Sequence, residues 1–195
     1  MSRREAMRGY FGVGVERLSK PRNAGAIFRT AHAFGAHFLF GIGADVNLAQ
    51  IRKTDTADTA GSIPLWEVSE PAALDLPRGC QLVGIELTED AVPLPSFRHP
   101  ARAAYVLGSE RSSLTPELLA RCHHVVRIPT AFSLNVNVAL ALVLYDRMLS
   151  RGRFAERPVA AGGPTAPPAA HVHGGVFSRE GRKDSPPSGT SAGQE

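Results

Sequence analysis

The chain has 195 residues, of which 43% are hydrophobic and 21% are charged, and its formal net charge is +4. A chain of this length can bury a core without disulfides or a metal, and two cysteines are too few for a disulfide framework. No apolar run could span a bilayer and none follows the basic N-terminus, so we expect a cytoplasmic protein without a signal peptide.

Six short apolar runs are predicted to be β-strands. In chain order they are 9–15, 37–42, 64–68, 81–87, 103–107 and 125–128. Several of them are apolar almost throughout, which is typical of strands that are covered on both faces of a sheet. Sheets covered on both faces are in turn typical of parallel strands connected by helices.

Three helices are predicted along the same chain. The first covers 23–34 and ends at Gly35, a residue type that often follows the last helical turn. The second starts after Thr115, with Pro116 at its first position, and the third covers 134–153. Strands that alternate with helices indicate an α/β fold with a mostly parallel sheet and flanking helices. In such a sheet, ligands bind beyond the carboxyl ends of the strands.

The chain changes character near its C-terminal end. The last forty or so residues are rich in Pro and Gly and hold a single aromatic residue, so they cannot bury enough apolar surface to fold. We therefore expect one domain over 1–154 and a disordered tail over 155–195. His171 and His173 could touch a metal, but no cysteine or carboxylate cluster accompanies them, and no metal site is predicted.

Positive charge is concentrated at the N-terminal end. Residues 1–30 hold seven Lys or Arg side chains against Glu5 and Glu16. This excess suits a polyanionic partner, and it is equally typical of an ordinary solvated chain end. Charge alone therefore leaves both interpretations open.

Polar clusters follow three of the predicted strands. The first, in KPRNAGAIFRTAHAFG, holds Asn23, which can cap the next helix, and Gly25, which leaves room for a phosphate or sugar. Arg29 on the same helix is a fork-shaped donor that suits phosphate. Taken alone, these residues are more typical of an N-cap, a tight turn and a surface arginine.

The other two clusters follow the strands 103–107 and 125–128. In GSERSS, Gly108 permits close approach to the backbone, and Glu110 presents a carboxylate at the strand end. In PTAFSLN, Ser133 and Asn135 flank the start of the long last helix. By themselves, an ordinary turn and ordinary helix capping would account for both clusters.

Together, the order and content of the three clusters resemble the motifs of the SpoU (TrmH-type) RNA methyltransferase family. The motifs are N-x-G-x-x-x-R-T-A with a later F-G, then G-x-E-x-x-x-L, then I-P followed by S-L-N-V and a helix. The resemblance covers residues 8–149, which is nearly all of the predicted domain. It implies that the α/β sheet carries a deep trefoil knot, which the sequence itself does not reveal.

The resemblance also implies the transfer of a methyl group from S-adenosylmethionine to a ribose 2′-hydroxyl of RNA. Arg29, Asn23 and Glu110 would then be the catalytic residues. In the family the arginine is often assigned the role of the base that removes the hydroxyl proton. Because a guanidinium stays protonated in proteins, binding the neighbouring phosphate is the simpler role for Arg29. The residues that would hold the cofactor, largely through their backbone, are Leu107, Gly108, Ile128, Ser133, Leu134 and Asn135.

The resemblance further implies a homodimer in which the last helix packs at the interface. Its apolar stripe, Val136, Leu140, Val143 and Leu144, would lie at that interface, in the intramolecular core, or partly in both. We expect no separate RNA-binding domain ahead of the first strand, and for such a compact body tRNA is slightly favoured over rRNA as the substrate.

Two other functions stay open. One is a knotted relative that binds RNA or S-adenosylmethionine without catalysis, because Ser113 stands where the family's second motif has glycine and the loop from Pro129 to Ser133 is short. The other is a nucleotide-dependent oxidoreductase, since Gly12 and Gly14 form a GxG pattern. That pattern is weak, because no third glycine follows it at a helix.

Overall fold

The computed structural model describes residues 9–44, 47, 63–109, 112–152, 154 and 161–163. Residues 5–154 form one compact unit, and a second unit groups residues 1–4 with 155–195. Of the predicted disordered tail, only 161–163 belong to the described residues, so the tail and the domain boundary stay predictions.

Seven strands form one sheet in the described part of the chain. Their order is β3-β2-β1-β6-β4-β7-β5, and every pairing is parallel, which confirms the predicted α/β class with a mostly parallel sheet. Six strands agree with the prediction to within two residues at each end, and only the short β5 was not predicted. Their bounds are β1 Tyr10–Glu16, β2 Phe38–Ile42, β3 Leu65–Val68, β4 Gln81–Ile85, β5 Val92–Pro93, β6 Arg102–Leu107 and β7 His124–Arg127.

Three α-helices accompany the sheet in the described residues. They are α1 Pro21–Ala33, α2 Pro116–Arg121 and α3 Val136–Arg151. Short 3₁₀ turns lie at Pro71–Ala73 and Leu94–Ser96. None of the helices described here has the length and apolar content that crossing a membrane requires.

Helix α1 begins two residues earlier than predicted. Its N-cap is Lys20, without a side-chain hydrogen bond, and Pro21 occupies the first helical position. Proline starts the helix there because its ring fixes a helical φ and it lacks an N–H that would go unpaired. The prediction that Asn23 caps this helix is therefore wrong. At the other end, Gly35 adopts a left-handed φ of 79°, which confirms the predicted glycine stop.

The other two helices begin at side-chain caps. The Thr115 hydroxyl accepts the N–H of Leu118 at 3.3 Å and so caps α2, with Pro116 next, as predicted. The side-chain oxygen of Asn135 accepts the N–H of Asn137 at 2.9 Å and so caps α3. These two caps fix where each helix leaves the carboxyl edge of the sheet.

Apolar side chains cover both faces of the sheet. Buried residues of α1 and α3 belong to the cluster on one face, and Leu118 of α2 belongs to the cluster on the other. The predicted apolar stripe of α3 lies in the first cluster, so the intramolecular interpretation holds and the interface interpretation is wrong for its four residues. Their exposed fractions are 8% for Val136, 0% for Leu140 and Val143, and 1% for Leu144.

The two glycines of the GxG pattern make room for aromatic rings. A Cβ atom on Gly12 would lie 2.1 Å from the ring of Phe38, and one on Gly14 would lie 2.1 Å from the ring of Phe40. The parallel register of β1 and β2 aligns each glycine with the ring that it admits. Packing therefore accounts for this pattern, and the oxidoreductase hypothesis loses the observation that favoured it.

A buried polar network fastens α3 to the amino end of the sheet. Arg147, 3% exposed, donates to the Tyr105 hydroxyl at 3.0 Å and to the carbonyl of Ala101 at 3.1 Å. His99 bonds the same hydroxyl at 2.6 Å and Asp146 at 2.9 Å. Burial lowers the pKa of His99, although the hydrogen bond to Asp146 acts in the opposite direction. Burial also raises the pKa of Tyr105 to about 12.

Candidate functional site

A cavity of about 340 Å³ lies at the carboxyl edge of the sheet. Segments that follow β4, β6 and β7 form its wall, together with the start of α3. Parallel α/β sheets bind ligands beyond this edge, and the volume is in the range of small-molecule pockets. The lining residues are Ile85, Glu86, Leu87, Leu107, Gly108, Ser109, Ser112, Ser113, Arg127, Ile128, Thr130, Ser133, Leu134, Val136 and Ala139.

Five of the six residues predicted to hold a cofactor line this cavity, and Asn135 does not. The five are Leu107, Gly108, Ile128, Ser133 and Leu134. The wall at the carboxyl end of β4, formed by Ile85, Glu86 and Leu87, was not predicted from the sequence. The predicted strand covers 81–87 and so places Glu86 inside it, whereas β4 ends at Ile85 and leaves Glu86 as a polar side chain at the strand end.

The described residues of the turn after β6, 108–109 and 112–113, are packed closely together. A Cβ atom on Gly108 would lie 2.7 Å from the carbonyl oxygen of Ser112, so only glycine fits without a backbone shift. Ser109 and Ser112 form an isolated bridge, and their hydroxyl oxygens are 2.9 Å apart. Among the described residues, Arg17 is the one non-glycine with a positive φ. Ser113 therefore fits the turn without the left-handed backbone that would require a glycine.

Two carboxylates hold the end of this turn. Glu86 accepts the N–H of Leu114 through Oε2 and the N–H of Leu87 through Oε1, each at 2.8 Å. Glu16, which is 2% exposed, accepts the N–H of Thr115 through Oε2 at 2.8 Å and its hydroxyl through Oε1 at 2.5 Å. Each carboxylate thus has both oxygens hydrogen-bonded, and for the buried Glu16 these bonds offset the cost of burying charge.

The segment between β7 and α3 is held by one threonine. The N–H of Thr130 donates to the carbonyl of Ile128 at 2.8 Å, and its hydroxyl donates to the carbonyl of Phe132 at 2.9 Å. The short loop is therefore internally bonded, while Phe132 is 77% exposed. Its fixed backbone positions Ile128, Ser133 and the start of α3 along the cavity.

The two predicted catalytic residues of α1 do not line the cavity. Asn23 is buried in the first turn of α1, and Arg29 is exposed to solvent. The hydroxyl of Thr30 donates to the side-chain oxygen of Asn137 at 2.8 Å, which ties α1 to the first turn of α3. This contact links the helix of Arg29 to the cavity wall. The third predicted catalytic residue, Glu110, lies outside the described residues.

Among the described residues, the charged side chains on the cavity wall are Glu86 and Arg127. The Nε of Arg127 donates to the carbonyl of Ala91 at 3.2 Å, which orients the guanidinium. No group of three or more His, Cys, Asp or Glu side chains that could hold a metal ion occurs in the part of the chain that the structure describes. The described part of the wall therefore offers an organic ligand apolar surface, serine hydroxyls, backbone groups and one charge of each sign.

Proteins that are similar in sequence and in fold bear on this site. A tRNA (guanosine(18)-2′-O)-methyltransferase of Escherichia coli K12 is 29% identical over 148 residues. The match covers 71% of this chain and 63% of the relative, so the chain spans less than two thirds of the length of that relative.

Solved structures agree with the sequence match. The SpoU methyltransferase AviRb of Streptomyces viridochromogenes, in complex with AdoMet, has a TM-score of 0.62 and 28% identity, covering 75% of this chain and 60% of AviRb. A structure from work on 2-OH methylation of C/U34 on tRNA has a TM-score of 0.63 and 25% identity, covering 73% of this chain and 97% of the other. The SpoU rRNA Methylase family model matches residues 11–145, well over half of the sequence. The chain therefore belongs to the SpoU rRNA methylase family.

Proposed function

We propose that the chain transfers a methyl group from S-adenosylmethionine to a ribose 2′-hydroxyl of RNA. Its family and the activity named for the Escherichia coli relative support this proposal. The observation that carries it is the cavity at the carboxyl edge, because its wall includes five of the six residues that the motifs predict for the cofactor.

The residues of the cavity fit S-adenosylmethionine, the ligand of the related Streptomyces structure. At Gly108 the absence of a side chain leaves a cradle beside the backbone, where a Cβ would otherwise meet Ser112. Leu107, Ile128 and Leu134 offer apolar contact, and Ser133 with the N–H groups that begin α3 can bind polar ends of the ligand. When bound, this cofactor supplies an electrophilic methyl group on a sulfonium.

Arg29 is proposed to hold the phosphate next to the target ribose. Its side chain is exposed on α1, and a guanidinium stays protonated in proteins, so it can bind phosphate and stabilise the developing alkoxide. Asn23 and Glu110 are proposed to hold the geometry around it. A pH–rate profile of Arg29→Lys tests this role: a clamp lowers the rate and leaves each limb at the same pH. A limb that moves with the substitution would instead indicate a base.

A homodimer is also part of the proposal. Val138, Leu142 and Tyr145 lie three to four residues apart and are exposed on one face of α3, at 46%, 41% and 47%. This face replaces the buried stripe as the proposed interface. Sedimentation equilibrium should show a dimer that Leu142→Glu converts to a monomer, whereas Ser150→Glu on the last turn leaves it dimeric. A monomeric parent protein would contradict the proposal.

The proposed substrate is tRNA. The name of the Escherichia coli relative refers to tRNA, and so does the work on C/U34 from which the second structure comes. This chain covers 97% of the protein in that second structure. The family name itself refers to rRNA, which makes rRNA the competing substrate. The proposal includes a deep trefoil knot within the domain 1–154. It also includes a cytoplasmic location, where the RNA substrate lies.

Nucleoside mass spectrometry of tRNA and rRNA from a strain that lacks the gene tests this function. One 2′-O-methylated nucleoside should disappear from tRNA and return with the intact gene, but not with an Arg29→Ala gene. A loss confined to rRNA would transfer the activity to that substrate. Unchanged nucleosides in both RNAs would contradict the enzyme, and if the protein still bound S-adenosylmethionine it would be a binding module.

A further inference from the structure

We infer that Glu16 and Glu86 are positioning residues, which hold the turn after β6 in the shape that binds S-adenosylmethionine. The inference rests on the proposed function and assigns a task to two residues outside its motifs. The turn is defined here by its described residues, 108–109 and 112–113, all four of which line the cavity. The two glutamates contact the chain where it leaves this turn, at Leu114 and Thr115.

The order of the strands places the two glutamates on either side of the turn. Strand β6 lies between β1 and β4, and Leu107 is aligned with Val15 on one side and with Ile85 on the other. Glu16 and Glu86 each follow their aligned residue by one position. Both carboxylates therefore stand level with Gly108, where the turn begins.

The chain returns between these carboxylates. Two consecutive backbone N–H groups are bound, that of Leu114 by Glu86 and that of Thr115 by Glu16, both at 2.8 Å. Hydrogen bonds to a carboxylate are roughly twice as strong as those between neutral groups. The turn is thus fixed at its start by the close packing of Gly108 and at its end by two charged acceptors from neighbouring strands.

Fixing the turn before the ligand arrives should increase the affinity, because a mobile wall would have to be ordered on binding. The glutamates differ in one useful way. Glu86 lines the cavity and could also contact the ligand, whereas Glu16 is buried behind the wall and is not a lining residue. An effect of Glu16 on cofactor affinity must therefore act through the turn.

The test compares S-adenosylmethionine binding by the full chain and three variants in calorimetry. Glu16→Gln should raise the Kd about tenfold, because the amide cannot accept both bonds from Thr115. Glu86→Gln should raise it at least as much. The matched control is Glu117→Gln, which alters an exposed carboxylate two residues beyond Thr115 and should leave the Kd unchanged.

Two further readouts separate positioning from a purely structural role. Amide hydrogen exchange at Leu114 and Thr115 should accelerate in Glu16→Gln, and kcat at saturating cofactor should stay within about twofold of the parent. Faster exchange with an unchanged Kd would overturn the inference. If Glu16→Gln does not fold, Thr115→Val is compared with Thr115→Ser. Thr115→Val removes both the hydroxyl bond to Glu16 and the cap of α2 and should raise the Kd, while Thr115→Ser keeps both bonds and should not.

The outcomes also separate this inference from the proposed function. If the parent protein binds no S-adenosylmethionine, the proposed function fails. If the parent binds it and Glu16→Gln binds it equally well, the function stands and the positioning role is wrong.

Discussion

Replacing Gly108 with alanine tests the shape of the cavity wall at the turn after β6. The new Cβ would lie 2.7 Å from the carbonyl oxygen of Ser112 and 3.1 Å from the N–H nitrogen of Leu114. Both neighbours are backbone atoms, so the turn itself must shift. Overpacking of this kind costs about 1–3 kcal/mol, which corresponds to about a 5- to 150-fold change in an equilibrium constant.

The turn is part of the cavity wall, so binding the cofactor in the native shape requires the shifted turn to move back. The cost of that movement should appear in cofactor binding. Calorimetry should show the Kd of Gly108→Ala for S-adenosylmethionine raised within this range. The matched control is Gly35→Ala, which lies at the end of α1 with φ of 79° and no atom within 4 Å of the new Cβ. It should lower the stability by about 1 kcal/mol without changing the Kd. A Gly108→Ala variant that binds as tightly as the parent would refute this account of the turn.

Three further predictions concern the core and the titratable groups. Leu140→Ala should lower the free energy of unfolding by about 2–5 kcal/mol in urea titrations, since Leu140 is fully buried, and a loss below about 0.5 kcal/mol would contradict its place in the core. Burial lowers the pKa of His99, so below about pH 6.5 the unfolded chain binds more protons than the folded protein does. The free energy of unfolding should therefore be unaffected by His99 above about pH 6.5 and should decline as the pH falls below it. His99→Gln should flatten this decline in thermal unfolding, and an equally steep decline would exclude His99 as its cause. Burial raises the pKa of the Cys122 thiol to about 11. An aromatic disulfide reagent at pH 8 should therefore label Cys122 slowly in the folded protein and rapidly in denaturant. Equal labelling rates in the two states would count against this packing.

The sequence predicted the sheet well because its strands are covered on both faces. Such strands are apolar almost throughout, and this signal is local, so six were found with small errors at their ends. The two-residue β5 was missed, since a strand of that length carries no pattern of its own. The predicted start of α1 is two residues late, because Asn23 is a typical cap residue but Pro21 determines the first helical position.

The cavity was predictable as far as its residues follow strand ends directly. Leu107, Gly108 and Ile128 could be identified because the carboxyl ends of parallel strands share one edge of the sheet. The role of Glu16 could not be predicted, because its partner Thr115 is 99 positions away and meets it only through the strand order. Which face of α3 is buried likewise depends on how the helix packs, and the apolar pattern of α3 allowed more than one answer.

The proposed reaction is methylation of the ribose 2′-hydroxyl of RNA. To test it, the purified full chain is incubated with methyl-labelled S-adenosylmethionine and with tRNA from a strain that lacks the gene. The tRNA is then hydrolysed in alkali. Because a 2′-O-methyl group blocks cleavage of the adjacent phosphodiester, the label should be recovered in an alkali-resistant dinucleotide. Label recovered in mononucleotides methylated on the base, or no transfer to either tRNA or rRNA by protein that binds the cofactor, would contradict the claim.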